Sequence, residues 1–239
     1  MESSESSDGY GGTRARVVAV GCSVDSSTYR GSYEDLETLR TFSQGSVNGL
    51  NKMPIVCADF VVYAYQLFKA KASGADAIKV NAAVLPAAEV AYMCKIARKI
   101  KLDVICVCSS KTQVLQVLEA AGPLLAAISI SSRNSRLWKR APGKAENILK
   151  DEEVRAAIRA VQKKQQVEGE GEKTQETQDK EGLLALKGMI VLQEAILAPE
   201  IGKAALDPLV DGVVLGEELL GSRGETYEQA VRAALGLVI

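Results

Sequence analysis

The chain has 239 residues, of which 47% are hydrophobic and 25% are charged, and its formal net charge is −1. This length fits one large domain with a sizeable core, and the near-neutral charge without a basic stripe excludes an electrostatic footprint for nucleic acid. The sequence contains no histidine, which excludes His-dependent triads and dyads and removes a common ligand of metal ions.

The first residues, 1–15, are rich in Ser, Gly and acidic side chains, which predicts a disordered tail. They lack the apolar centre of a signal peptide, and no apolar run in the chain is long enough to predict a membrane span. The five cysteines lie in apolar, core-like segments, and their odd number favours reduced, buried thiols. We therefore expect a soluble protein of a reducing compartment, the cytoplasm or the plastid stroma, with no targeting segment in this chain.

Short apolar runs follow the tail, and each is nearly continuous in hydrophobicity, which is typical of strands buried on both faces. The runs are Val17–Val24, Ile55–Val62, Ala77–Val84, Val104–Val107, Ala126–Ile130, Met189–Leu192 and Gly212–Leu215. Helical patterns lie at Tyr33–Phe42, Ala64–Ala72, Pro86–Lys101, Thr112–Ala121, Ala145–Gln166, Pro199–Leu206 and Thr226–Leu237. This alternation predicts one domain, residues 16–239, with a parallel sheet covered by helices.

The stretch 163–182 interrupts this alternation. It reads KKQQVEGEGEKTQETQDKEG, with one apolar residue and many charges, and it shows no periodicity. Such a composition predicts a mobile, solvated insertion. A tether that binds a partner is the alternative interpretation.

Other candidate sites carry weaker signals. Cys106 and Cys108 lie two residues apart in a strand and should share one face, but without a second pair or a histidine they are predicted to be inert thiols and not a zinc site. No glycine motif for a nucleotide is present. Trp138, the only tryptophan, either anchors a partner or packs on its own helix. The residues thus indicate no metal and no cofactor.

Several patches resemble the indole-3-glycerol-phosphate synthase family of tryptophan biosynthesis. They are Tyr29–Leu36, Pro54–Val62 with Tyr65–Leu67, and Gly74–Ala77, with weaker echoes at Ile130–Asn134 and Asp211–Leu219. Their order and spacing agree with the family over about residues 16–238, apart from the charged insertion. The resemblance implies a TIM (β/α)8-type barrel. It also implies a lyase that closes an indole ring with loss of water and carbon dioxide, without a metal or cofactor.

The chain departs from this family at the positions that the resemblance makes catalytic. Ala58 stands at the lysine acid, Ala83 at a second lysine, Cys106 at an inward glutamate, Ser131 at an asparagine and Gln193 at a further glutamate. Lys79 lies nearby, but its expected parity in the strand argues against it as a substitute. An alanine cannot donate a proton, so a step worth about 10²–10⁴-fold in rate should be lost.

The substrate site is altered in the same way. Tyr29, Phe60, Arg133 and Gly216 remain as substrate-binding remnants. At the phosphate site, however, Glu194 and Ala195 stand where the family has Ser-Gly, and Glu217 follows Gly216. Carboxylates at that place would repel a phosphate dianion.

The family's first strand and helix have no counterpart in the residues before Arg16, so an incomplete barrel of seven strands is predicted. Its open edges would need a protein partner or a homo-oligomer to cover them. We therefore expect a catalytically inactive pseudoenzyme that acts as a structural or regulatory subunit of a larger assembly. An active synthase and a barrel enzyme with altered chemistry, using Glu194, Glu217, Gln193 or Cys106, are the alternatives.

Overall fold

A computed structural model describes residues 18–27, 30–45, 53–134, 139–171, 188–195, 204 and 206–214. The described strands are β1 (Val20–Ser23), β2 (Ile55–Ala58), β3 (Ala77–Asn81), β4 (Asp103–Cys108), β5 (Ala127–Ser131), β6 (Ile190–Glu194) and β7 (Gly212–Val214). The helices are α1 (Tyr33–Gly45), α2 (Ala64–Ala72), α3 (Ala87–Lys99), α4 (Lys111–Ala121), α5 (Lys144–Lys150) and α6 (Glu152–Gly171). The predicted tail, residues 1–15, and the predicted helix Thr226–Leu237 lie outside these ranges.

The strands form one parallel sheet in the order in which they occur in the chain. Each pairs in parallel with its neighbours, and helices connect most of the successive strands. Sequential parallel strands joined by helices are the arrangement of a (β/α) barrel. The prediction of an incomplete TIM-type barrel with seven strands is therefore confirmed for the described part of the chain.

The main core lies between the sheet and its helices. Ile78 on β3, Ile128 and Ile130 on β5, and Val90 on α3 are completely buried in it. Alternate residues of each strand point to opposite faces, so the remaining strand side chains line the barrel interior. Strands buried on both faces explain the continuous apolar runs in the sequence.

The Arg-Gly-Ser patch before α1 is explained by local structure. Asp35 and Ser32 cap the helix reciprocally: the backbone N–H of Ser32 donates to Oδ2 of Asp35 at 2.8 Å, and the backbone N–H of Asp35 donates to Oγ of Ser32 at 3.2 Å. A Cβ on Gly31 would lie 2.1 Å from the carbonyl oxygen of Ser23. Only glycine fits this close approach to β1.

Two further patches that carry the family resemblance also build the fold. Oε1 of Gln66 accepts hydrogen bonds from the backbone N–H groups of Val62 and Tyr63, both at 2.9 Å, and so holds the start of α2. Asp76 accepts from the guanidinium of Arg40 and, at 2.9 Å, from the backbone N–H of Ile55. These contacts join α1, β2 and the start of β3.

Several predicted boundaries differ from the structure, and β2, for example, ends at Ala58 and not at Val62. The predicted helix Ala145–Gln166 is two helices, because the backbone of Asp151 is extended and its carboxylate accepts from the N–H groups of Glu153 and Val154. Strand β3 ends at Asn81, whose side chain accepts from the N–H of Ala83 in a turn. Helix α6 extends into the charged stretch as far as Gly171, and residues 172–182 of that stretch lie outside the described residues.

Candidate functional site

The carboxyl ends of the parallel strands form the mouth of the barrel, which is where barrel enzymes hold their functional residues. Strand register identifies the side chains that face the interior at this end, since paired residues share a face. They are Ala58 on β2, Lys79 and Asn81 on β3, Ile105 and Val107 on β4, Ser129 and Ser131 on β5, and Leu192 and Glu194 on β6.

Lys79 and Glu194 form an ion pair inside the barrel. Nζ of Lys79 lies 2.7 Å from Oε2 of Glu194, and the side chains are 23% and 12% exposed. The hydroxyl of Ser129 donates to the same carboxylate oxygen at 3.0 Å. In a flat sheet β3 and β6 would lie about 14 Å apart, so the curl of the sheet brings these groups together.

Lys79 stands beside the position where the resemblance implies a lysine. Val56 pairs with Ala77 and Cys57 pairs with Ile78, so Ala58 lies next to Lys79 one residue further along β2 and β3. Adjacent strands are about 4.8 Å apart, a distance that a lysine side chain spans. The expectation that Lys79 has the wrong parity is therefore wrong: its side chain faces the interior.

Gln193 and Cys106 were predicted to face the interior, but both side chains lie on the helix side of the sheet. Gln193 is buried on the helix side of β6, next to residues of α5 and α6 such as Leu149 and Arg155. Cys106 is completely buried in the core between the sheet and the helices, close to Cys94 on α3. Neither side chain can take the place of an inward glutamate, and Glu194 is the carboxylate that faces the interior.

Ala83 was predicted at the end of a strand, but the structure places it elsewhere. It is exposed in the turn after β3 and not at the end of a strand. Ser131 ends β5 on the interior face as predicted, in register with Glu194. Its hydroxyl accepts from the backbone N–H of Arg133 at 3.2 Å, so it shapes the loop that carries Arg133.

The loop after β2 carries Asp59 and Phe60 to the rim. The backbone N–H of Phe60 donates to Oδ1 of Asp59 at 2.6 Å, and the ring of Phe60 is 40% exposed. Burial raises the pKa of Asp59, the bond from Phe60 opposes this rise, and the nearby carboxylate of Asp25 adds to it. The rim on the β1–β2 side is thus acidic.

The predicted substrate-binding remnants and phosphate site are only partly described, since Tyr29, Gly216 and Glu217 lie outside the described residues. Glu194 turns inward to Lys79, so its charge is compensated rather than aimed at an anion. Ala195 has a positive φ of 56°, a conformation that glycine adopts at lower cost. Its backbone therefore keeps the shape for which the family uses glycine.

The described part of the chain holds no cluster of metal-ligating side chains. No group of three or more Cys, Asp or Glu side chains there could hold a metal ion. The described helices also include none that is long and apolar enough to cross a membrane. The charged groups of the mouth are the candidate site, because they lie where parallel barrels hold their functional residues.

Comparisons with known sequences give one family. The family model described as indole-3-glycerol phosphate synthase matches residues 2–168. A synthase of that name from Prochlorococcus marinus is 35% identical over 130 residues, which are 54% of this chain and 40% of the relative. One from Microcystis aeruginosa is 32% identical over 111 residues, which are 46% and 34% of the two chains. The chain thus aligns with less than half of each of these relatives.

Solved structures support the barrel architecture. The chain resembles the tryptophan synthase complex of Pyrococcus furiosus with a TM-score of 0.51 and 17% identity, over 85% of this chain and 72% of that one. It resembles 3-keto-L-gulonate-6-phosphate decarboxylase of Vibrio cholerae with a TM-score of 0.50 and 14% identity, over 92% and 86% of the chains. At these identities the likeness concerns the fold alone.

Proposed function

Because the chain belongs to the indole-3-glycerol phosphate synthase family, we propose that it is a pseudoenzyme of that family. It does not close the indole ring, and it acts as a structural or regulatory subunit of a larger protein assembly. The barrel supplies the scaffold for this role, and its loops and edges supply contact surfaces.

One observation carries the proposal: among the described residues, the interior has no ammonium that is free to act as a proton donor at position 58. Ala58 cannot donate, and the lysine beside it, Lys79, is bound to Glu194 at 2.7 Å. The interior face of the strands near Lys79 and Glu194 is lined by aliphatic side chains, namely Ile105, Val107 and Leu192. A site for proton transfer normally needs a donor held within hydrogen-bond reach of its substrate and not consumed by another partner.

The described sheet edges support a role in an assembly. Within the described residues β1 pairs only with β2, and β7 only with β6. Phe42 on α1 is 69% exposed. It lies roughly opposite Glu37 and Arg40, which contact the α2–β3 side. Phe42 is on the helix that contacts β1, and an exposed aromatic residue there, together with a sheet edge that has no described partner, is suited to a strand and helix supplied by a protein partner or a second copy.

The cysteines support a reducing compartment, which we propose to be the cytoplasm or the plastid stroma. All five are free and buried in the structure. Free thiols persist where glutathione and thioredoxin keep them reduced. The compartment is open to a direct test by localisation of a tagged full-length protein.

A second candidate is an enzyme, either an active ring-closing lyase or a barrel enzyme with altered chemistry. The strand register places Lys79 beside Ala58, and this position of a lysine favours the enzyme hypothesis. If the ion pair opened in a complex with substrate, Lys79 could donate a proton from the neighbouring strand, and Glu194 could accept one.

The decisive experiment is a coupled assay for indole-3-glycerol phosphate with the full chain and an authentic synthase as positive control. The proposal expects no product above background. Turnover within about a hundredfold of the control would contradict it, since the loss of a general acid costs at least that much. If such turnover disappears in Lys79→Met and persists in Lys111→Met, the second candidate is correct.

The assembly role is tested separately by size-exclusion chromatography with light scattering. An isolated chain that is strictly monomeric and well behaved would argue against it. Phe42→Ser should weaken association, whereas Phe68→Ser, at a side chain that is 52% exposed on α2, serves as the matched control away from the β1 edge.

A further inference from the structure

The ion pair between Lys79 and Glu194 presents unused hydrogen-bonding capacity to the barrel mouth. An ammonium can donate three hydrogen bonds and a carboxylate can accept about four. Within the described part of the chain, Nζ of Lys79 donates only to Glu194, and Glu194 accepts from Lys79 and Ser129 through Oε2 alone. The side chain of Glu194 is 12% exposed and that of Lys79 is 23% exposed, so the pair is in contact with solvent.

Fold stability does not account for this pair. Partly buried ion pairs are often no more stabilising than apolar side chains of the same volume, and aliphatic residues already line the adjacent strands. The pair is also not sealed from solvent, since its side chains are 23% and 12% exposed. A functional use, with the charges presented to a ligand, is the better explanation.

The geometry of the pair is complementary to a zwitterion. The two charged atoms lie 2.7 Å apart. Standard bond lengths and angles place the ammonium nitrogen of an α-amino acid about 2.7 Å from the nearer oxygen of its own carboxylate. When the amino acid lies antiparallel to the Lys79–Glu194 pair, its carboxylate faces Lys79 and its ammonium faces Glu194. The four charges then alternate around a square, and each contact between neighbouring charges is attractive. A simple anion or cation would instead compete with one member of the pair.

The neighbouring side chains indicate which amino acids fit. Ile105 and Leu192 are half-buried on the interior face next to Lys79 and Ser129, and Val107 is buried above Ile105. These aliphatic groups would contact the ligand side chain. The hydroxyl of Ser131 and the amide of Asn81 lie on the same face nearer the mouth.

We propose that the barrel interior binds a small apolar α-amino acid as a zwitterion, with its carboxylate on Lys79 and its ammonium on Glu194. Binding is non-covalent and needs no cofactor. The inference deepens the proposed role of a regulatory subunit by giving that subunit a ligand. Only the use of the site rests on that role, because binding is measurable whether or not the chain closes an indole ring.

The test is a thermal-shift screen of the full chain with each standard L-amino acid at millimolar concentration, followed by calorimetry. Small aliphatic amino acids should raise the melting temperature, while acetate and methylamine, which carry one charge each, should not. Lys79→Met and Glu194→Gln, which preserve side-chain volume, should each weaken binding at least about tenfold. Lys111→Met, which removes an ion pair of 2.8 Å outside the barrel, should leave binding unchanged.

Three results would overturn the proposal. The first is the absence of stabilisation by any amino acid. The second is binding that survives both interior substitutions. The third is equal binding of acetate or methylamine, which would indicate a site for a single charge. Circular dichroism of each variant establishes that it is folded, and the double variant Lys79→Met/Glu194→Gln, which leaves no unpaired charge, serves if a single variant unfolds.

Discussion

The ammonium of Lys79 on β3 lies 2.7 Å from Oε2 of Glu194 on β6, so this contact spans the interior of the curled sheet. The two residues are separated by 115 positions in the chain. The charge of each side chain is neutralised mainly by the other, and both side chains are largely shielded from water. The pair therefore links opposite sides of the sheet energetically as well as geometrically.

The first prediction concerns the coupling between these residues. Lys79→Met and Glu194→Gln should each lower the free energy of unfolding by about 1–3 kcal/mol, because each leaves a partly buried charge or its partner unsatisfied. The double variant should lose much less than the sum of both effects. Urea unfolding of the four proteins measures the coupling, and additive losses would show that the pair contributes nothing.

The second prediction is a pH dependence at Asp207. Two nitrogens of Arg155, Nη1 and Nη2, donate to its carboxylate at 3.0 and 3.2 Å, and this hydrogen-bonded pairing lowers the pKa of Asp207. A lowered pKa in the folded state gives stability that is present above the unfolded value, about 3.9, and is lost as pH falls through the folded value.

Asp207→Asn should therefore cost about 1–2 kcal/mol at neutral pH, since both side chains are largely buried. The difference from the natural protein should close as pH falls below about 4. Urea unfolding from pH 2.5 to pH 7 measures it. Glu146→Gln, which breaks an exposed pair with Lys150 on α5, is the control and should cost less than about 0.5 kcal/mol. A pH-independent cost at Asp207 would contradict the assigned cause.

The third prediction compares two glycines with positive φ. Gly74 has φ +94°, and an added Cβ would lie 2.8 Å from Cγ of Arg40; Gly143 has φ +73° and open space around it. Gly143→Ala should cost about 1 kcal/mol from backbone conformation alone. Gly74→Ala should cost about 2–3 kcal/mol, because Arg40 must also move away from its contacts with Gly74 and Asp76. Equal costs would mean that packing at Gly74 is adaptable.

The fourth prediction concerns thiol reactivity. Burial raises the pKa of Cys57 and of Cys94 to about 12, so both remain protonated thiols at pH 8, and the thiolate is the reactive form. The other three cysteines are also buried. A thiol reagent at pH 8 should label the native protein slowly and all five cysteines after denaturation. Rapid labelling of Cys57 or Cys94 in the native state would contradict their placement in the core.

Much of the fold follows from local sequence. The apolar runs, the glycines and the capping residues near Ser32, Gln66 and Asp76 predict the strands and helices to within a few residues, since these signals act over short distances. The patches that carry the family resemblance largely coincide with these residues. They hold β1, β2 and β3 to their helices.

The sequence also contains a signal for the division of the predicted helix into α5 and α6 at Asp151. An aspartate before two glutamates is a typical start of a helix, but the continuous apolar periodicity on both sides predicted a single helix. The side chains that face the barrel interior are harder to predict from the sequence. A shift of one residue in an alignment moves a side chain to the other face of a strand, which is why the sequence predicts Gln193 on the interior face of β6, where Glu194 lies, and Cys106 on the interior face of β4, where Ile105 and Val107 lie.

The sequence by itself determined the class of fold and the order of strands and helices, and its family resemblance implied that Ala58 stands at the position of a lysine. Those properties depend on residue type and periodicity along the chain. Only the tertiary structure decided that Lys79 faces the interior beside Ala58 and meets Glu194 and Ser129. That contact depends on the register of neighbouring strands and on the curl of the whole sheet, and no local pattern encodes either of them.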